Sequence, residues 1–363
     1  MYYHDRQASR LVSGPNPRAA ATSGTFGMKR IVVLCDGTWQ RPDGRYASNV
    51  VHMARCVLPR SSDGVEQIVY YQEGLGSNGG VDALNAGAFG RGIDAEIQRL
   101  YRFLVHNYRD GDELFFFGFS RGAYTVRSTI GMLRNAWLLH KAHAGMIPRA
   151  YHLSRTRWGP DADNAVRFRE PHCRAVRVRF LGVWDTVGAL GIPIALFDGL
   201  NEERYGFHDT TISRIVEHAC HALAIDERRK PFAPTVWKTR SDRKRTEQAW
   251  FSGSHSDIGG GHREAGLSLI SLQWIASQAA QAGLALDQTL LDHVMSRNNR
   301  EVVHDTVPLP YRIFGTAERA IGITNPDEIL HPSAEQRFLR EPDYRPRNLV
   351  EYLARDEQIR LPI

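Results

Sequence analysis

Cysteine is scarce in this chain. Cys35, Cys56, Cys173 and Cys220 are the only four among 363 residues, and no two of them stand in a C-x-x-C spacing. Neither a disulfide scaffold nor a cysteine-based zinc module is suggested, and reduced thiols in a cytoplasmic protein are the simplest reading. Long apolar runs are also missing. The longest, such as Val187 to Phe197, falls far short of the roughly 20 residues that a membrane-spanning helix needs. The first 27 residues hold Arg6, Arg10 and Arg18 but no apolar block of signal-peptide length, and read as a flexible leader over 1–28. Met28 stands directly before the first strand and is a candidate translation start, to be checked by mass spectrometry of the native N-terminus. A strong excess of one charge is absent: the formal net charge is +6. No zinc-finger spacing or aromatic RNA-binding signature accompanies it, so nucleic acid is not an expected partner. The basic residues do gather at Arg228-Arg229-Lys230 and from Lys238 to Arg245. These runs are solvated loops or, alternatively, points of attraction to an anionic lipid surface.

What is present is a substantial core, with 42% hydrophobic residues, and one organising stretch. Leu114-Phe115-Phe116-Phe117 follows the turn Asp110-Gly111-Asp112 and reads as a short strand buried on both faces. Gly118-Phe119-Ser120-Arg121-Gly122 then fits G-x-S-x-G, the strand-to-helix turn that lifts a nucleophilic serine above a sheet. Ala123, Val126, Thr129, Ile130 and Leu133 continue at helical spacing. The bland alternative is a turn serine in a glycine-rich bend.

Along the chain, Ile31–Cys35 is a β-rich run ending in Asp36-Gly37-Thr38, and a helix is expected from Asn49 to Leu58. A strand at Gln67–Tyr71 precedes a glycine-rich loop from Gly74 to Gly92, after which Ile93, Ile97, Leu100, Tyr101, Leu104 and Tyr108 mark an amphipathic helix. Tyr151 to Arg174 reads as a polar, irregular surface excursion, and Val176–Trp184 as a strand ending at Asp185. Asp209 is placed as the N-cap of a helix through Leu223, with Ile212, Val216, Ala219 and Leu223 inward. Gln248–Ser252 reads as a strand, and Leu267–Ala282 as a helix. Alternating strands and helices predict an α/β fold, a mostly parallel sheet with helices on both faces. One catalytic domain over 29–350 and a short tail from 351 to 363 are expected.

An acyl-transfer triad needs a base within reach of the serine and a carboxylate to orient that base. Ser120, Asp185 and His255 occur in the α/β-hydrolase order, each at the end of an expected strand. Asp226 is the reserve acid. The oxyanion donors are expected from the Arg121 amide and from Gly37 or Thr38, with Asp36 holding the latter turn. His255, Asp257 and His262 also suggest a metal cluster, but their spacing is unlike H-E-x-x-H, so neither metal nor cofactor is expected. Asp257 is expected to brace its loop, and His262 carries no assignment. Gly74-Leu75-Gly76-Ser77-Asn78-Gly79 matches G-x-G-x-x-G, which makes a non-catalytic dinucleotide-binding module the rival from another class. Its helix, expected near Ile93, begins too late to meet a pyrophosphate, and a flap beside the site suits the stretch better.

Four segments together, Ile31–Trp39, Gly118–Ala123, Gly182–Val187 and His255–Gly261, resemble one family, and the likeness runs from about Lys29 to Leu349. It is the uncharacterised α/β-hydrolase family that includes the catalytic domains of type VI secretion phospholipase effectors. The resemblance implies a serine esterase or lipase with Ser120 as nucleophile, His255 as base and Asp185 as acid. Departures from its pattern are Gln40 in place of Asn, Gln72-Glu73 before Gly74, and Leu269 where Asp is common. The expected substrate is a lipid acyl ester such as a phospholipid, towards which the basic clusters point through attraction to an anionic membrane surface. Val187–Phe197 either forms an acyl-binding wall that lines a pocket or touches lipid, or is simply buried. A soluble-substrate carboxylesterase is the runner-up. A cytoplasmic location or export by a specialised secretion system both fit.

Overall fold

The computed structural model describes residues 27–38, 40–74, 86–156, 159–188, 211–238, 245–297, 299–305, 307, 315–323, 325 and 328–355. Strands β1 (Lys29–Cys35), β2 (Glu66–Gln72) and β3 (Glu113–Phe119) come first. Two-residue strands β4 (Leu138–Leu139) and β5 (Cys173–Arg174) pair only with each other, antiparallel. With β6 (Val178–Trp184), β7 (Val216–Ala224), β8 (Thr246–Phe251) and β9 (Glu328–Leu330), the main sheet runs β2-β1-β3-β6-β7-β8-β9, every pair parallel. The fold is therefore α/β, a parallel main sheet with helices on both faces.

Because strand side chains alternate, the apolar runs feed two cores. Ile31, Val33, Leu114, Phe116, Leu181 and Val183 face one side, where α2 (Ala86–Asn107), α3 (Arg121–Ala136), α4 (Ile147–Ser154) and α5 (Asp163–His172) contribute Leu100, Leu104, Ile130, Leu133, Ile147 and Phe168. Val32, Leu34, Phe115, Phe117, Phe180 and Phe251 face the other. There α1 (Asn49–Cys56), α7 (Gly266–Gln281) and α8 (Gln288–Ser296) supply Met53, Leu272, Ile275 and Leu291, and the one-turn α6 (His255–Gly259) supplies Ile258. Each such fully buried aliphatic or aromatic side chain contributes about 1.5–3 kcal/mol. A third cluster joins Leu223 and Trp250 to α9 (Pro332–Arg340) and α10 (Arg347–Arg355) through Phe338, Leu349 and Leu353. The expected domain boundary at 350 thus falls inside α10.

Three expectations are corrected. The stretch read as a helix through Leu223 is strand β7, buried at every position but Glu217; residues 209–210 lie outside the described ones. Val216, Ala219 and Leu223 match helical spacing only because a central strand, apolar on both faces, shows no alternation to oppose it. The segment read as irregular holds the second half of α4 and all of α5, whose buried Ala165 and Phe168 recur three apart. Finally, α2 begins at Ala86, within the stretch read as loop.

β2 lies on one side of β1 and β3 on the other, so the chain reverses direction across the sheet there, the kind of switch point beside which open α/β sheets hold their ligands. At the elbow, a Cβ on Gly118 would come within 2.7 Å of the Ala123 backbone, and one on Gly122 within 2.1 Å of the Cys35 carbonyl oxygen. Both approaches require glycine.

Candidate active site

Ser120 sits between β3 and α3 with φ 56° and ψ −119°, a strained conformation for a side-chain-bearing residue. It is held there by its own amide, which donates to the Trp184 carbonyl at 3.0 Å, tying the elbow to the end of β6. Asp185 follows Trp184 directly and is also left-handed, at φ 36°. Its amide donates to the Ala222 carbonyl at 2.8 Å, and its Oδ1 accepts the Ala224 amide at 3.1 Å, so β7 fixes the carboxylate at both ends. His255 is the first residue of α6, which Ser254 and Asp257 close by a reciprocal capping box.

These three side chains meet. His255 Nε2 lies 2.7 Å from Ser120 Oγ, and His255 Nδ1 lies 2.6 Å from Asp185 Oδ2. All three residues are buried: Asp185 has no exposed surface, while Ser120 and His255 keep 6% and 5%. Phe119 and Phe232 wall the imidazole, with centroids at 4.7 and 5.0 Å. Burial pushes the His255 pKa below that of an ordinary histidine, against the raising influence of Asp185, which favours the neutral ring able to accept a proton. For Asp185 burial opposes ionisation, yet the Arg319 guanidinium and the His255 hydrogen bond outweigh it and hold the carboxyl well below the usual range.

Arg319 was not singled out from the sequence. Its Nη1 donates to Asp185 Oδ1 at 2.6 Å and its Nη2 to Oδ2 at 3.0 Å, while the same nitrogens reach the Ala224 and Phe232 carbonyls. A second unforeseen acid, Glu227, receives the His255 amide at 3.3 Å and is itself held by Arg229 through two bonds of 2.9 and 2.6 Å. Arg229 therefore serves the interior of the site, and Arg228 lies 3.7 Å from Asp305. The rest of the second basic run, residues 239–244, lies outside the described residues, as do 189–210, which hold most of the expected acyl-binding wall.

The reserve acid does not reach the imidazole. Asp226 Oδ2 accepts instead from the Gly253 amide at 2.6 Å and the Tyr344 hydroxyl at 2.8 Å. Among the oxyanion candidates, Gly37 lies against Ser120, an added Cβ standing 3.4 Å from the serine Cβ. Its amide donates to Asp36 Oδ1 at 2.7 Å. Asp36 does hold the turn, its Oδ2 accepting from Ser48 and Tyr71. Arg121 opens α3, so its amide belongs to the first turn of that helix. Gly74, first residue of the G-x-G-x-x-G match, packs on the Gly37 carbonyl so closely that a Cβ would stand 1.6 Å from the oxygen; this approach accounts for that glycine, and 75–79 lie outside the described residues. Asp257 braces its loop as expected, its Oδ2 accepting the Ser254 and His304 amides. With His255 engaged by Ser120 and Asp185, the metal-capable group among the described residues is Asp257, His262 and His304.

A family model described as the catalytic domain of Tle1-like type VI secretion phospholipase effectors matches residues 29–278. The chain is 31% identical over 260 residues to the uncharacterized protein YEL023C of Saccharomyces cerevisiae, a match covering 64% of this chain and 36% of that protein. The chain thus spans little more than a third of that relative. Among solved structures, an uncharacterized protein from Pseudomonas aeruginosa aligns with a TM-score of 0.45 at 18% identity, covering 71% of this chain and 46% of that one. The Tle1 effector bound to the VgrG spike of a type VI secretion system aligns at 0.38 and 19% identity, covering 65% and 51%. Among the described residues no helix is long and apolar enough to cross a membrane.

Proposed function

Because this chain belongs to the family of Tle1-like type VI secretion phospholipase effector catalytic domains, we propose that it is a serine hydrolase that cleaves lipid acyl esters through a covalent acyl-enzyme. The single observation that carries the reading is the unbroken series from Ser120 Oγ through His255 to Asp185, with contacts of 2.7 and 2.6 Å. In the first half-reaction His255 Nε2 takes the Ser120 proton as Oγ attacks the ester carbonyl, and Asp185 accepts the Nδ1–H bond and stabilises the imidazolium. The Arg121 amide, with that of Thr38, stabilises the tetrahedral oxyanion; Gly37 is the weaker donor because its N–H already serves Asp36. The imidazolium then protonates the leaving alcohol. Water, activated by the same imidazole, releases the acid and regenerates Ser120.

A fluorophosphonate should label Ser120, and Ser120→Ala should abolish both labelling and hydrolysis. Phospholipid vesicles with and without anionic lipid, run beside short soluble esters, test the substrate class. Fatty-acid release that rises with anionic content and falls with salt supports lipid esters at a charged surface. Fast turnover of short esters with intact vesicles would reassign the substrate to soluble esters and leave the triad standing. Resistance of the wild-type protein to both labelling and hydrolysis would remove the enzyme reading altogether.

A further inference from the structure

Beside the Ser120–His255–Asp185 array, three other side chains converge from separate stretches of chain. Asp257 lies two residues after His255 on α6, His262 lies just beyond that helix, and His304 comes from the 299–305 segment. The His262 and His304 rings stack with centroids 3.9 Å apart and planes 18° from parallel. Asp257 Oδ1 is 2.6 Å from His304 Nδ1 and 3.9 Å from His262 Nε2, and one donor atom from each residue lies within 4.8 Å of the other two. Glu264 stands behind them, with Oε2 3.6 Å from His304 Nε2.

Hydrogen bonding explains only part of this arrangement. The Asp257–His304 bond is sound, but His262 Nε2 is buried with no hydrogen-bond partner, a state that native proteins seldom tolerate. Two imidazoles turned towards one buried carboxylate form an arrangement that a shared cation completes. We propose that Asp257, His262 and His304 bind a divalent transition-metal ion, zinc by the chemistry of the donors, and that the ion fastens the 299–305 segment to the helix bearing His255. Two imidazole nitrogens and a carboxylate oxygen suit zinc, whereas calcium and magnesium call for a shell of oxygens.

The proton balance works with groups already in place. On binding, His304 Nδ1 gives up its hydrogen to become a ligand, and the proton of the neutral ring moves to Nε2, facing Glu264 as an outer-shell acceptor. Asp257 turns one oxygen to the ion while Oδ2 keeps the Ser254 and His304 amides. Zinc–nitrogen bonds of ~2.0–2.1 Å bring the donors nearer one another than 4.8 Å on the long side and open the 2.6 Å contact, both within reach of side-chain rotation. The assignment does not depend on the hydrolase reading.

The test uses the full chain without a histidine tag. Cobalt(II) titrated into the metal-free wild-type protein should give the visible d–d bands of a low-coordinate site, which zinc then bleaches. Zinc retained after gel filtration should reach about one equivalent, and added zinc should raise the melting temperature. His262→Gln and His304→Gln should each lower zinc retention at least tenfold, with circular dichroism and metal-free melting reporting whether they fold. No cobalt bands and no retained zinc in the wild-type chain would overturn the proposal. So would folded variants that retain as much zinc as wild type.

Discussion

Arg319 grips Asp185 with both arms of its guanidinium, at 2.6 and 3.0 Å, in a pair where the arginine side chain is 3% exposed and the carboxylate not at all. The charge keeps the acid ionised where water cannot, and the fork fixes the plane in which Oδ2 meets His255. Arg319→Met would leave a buried carboxylate without its partner, at a cost of about 3–5 kcal/mol in stability. It should also lower kcat/KM by about tenfold or more, because Asp185 would then titrate higher and sit less firmly. Arg319→Lys keeps the charge but loses the fork and should fall between. Urea denaturation and ester kinetics on the three proteins check this; a methionine variant that melts and turns over like wild type would remove the role.

The identity of the acid gives a sharper contrast. Asp185→Asn reverses a hydrogen-bonding group against His255 Nδ1 and should lower kcat by about four orders of magnitude. Asp226→Asn should leave turnover near that of wild type, since Asp226 serves the Gly253 amide and Tyr344. Asp226→Ala removes that acceptor and should cost about 1–3 kcal/mol in stability. Single-turnover kinetics beside thermal melts separate the two carboxylates.

That Ser120, Asp185 and His255 share one edge of the sheet was legible, because each follows a short apolar run closed by turn residues and a parallel sheet sends such ends to one edge. β7 was not, since its buried residues lie on both faces and the helical spacing went unopposed. Arg319 has no local signature at all: it lies 134 residues from the carboxylate it holds, among short Pro-punctuated elements. His304 was hidden in the same way, 47 residues from Asp257. Contacts of that range are decided by how α6 and the later segments dock, which no local pattern encodes.

The elbow makes a prediction about backbone packing alone. Gly122→Ala places a Cβ 2.1 Å from the Cys35 carbonyl oxygen and 2.6 Å from that of Asp36, forcing α3 away from the end of β1. A loss of about 3 kcal/mol or more is expected. Gly131→Ala on the same helix meets nothing within 4 Å and should gain about 0.5–1 kcal/mol from helix propensity. Denaturation midpoints of the two variants should therefore move in opposite directions; equal shifts would mean the close approach at 122 is not what constrains the elbow.

A last prediction concerns Glu96, a buried carboxyl on α2 facing Thr125 of α3, whose hydroxyl donates to Oε2 at 3.4 Å. Burial raises its pKa from 4.5 to about 7, against the lowering influence of Arg99, Thr125, Arg121 and Gln72. The sign follows from where the proton sits. Between pH 4.5 and 7 the unfolded chain releases this proton while the folded protein keeps it, so this group's contribution is best below pH 4.5, declines through that window and levels off above it. The full decline is on the order of 3 kcal/mol. Glu96→Gln holds a neutral amide in the same place and has nothing to ionise. Its stability should match that of wild type at pH 4 and exceed it at pH 8, as read from urea unfolding at the two pH values. A difference between the two proteins that stays the same at both would show that Glu96 is already ionised in the fold at no cost.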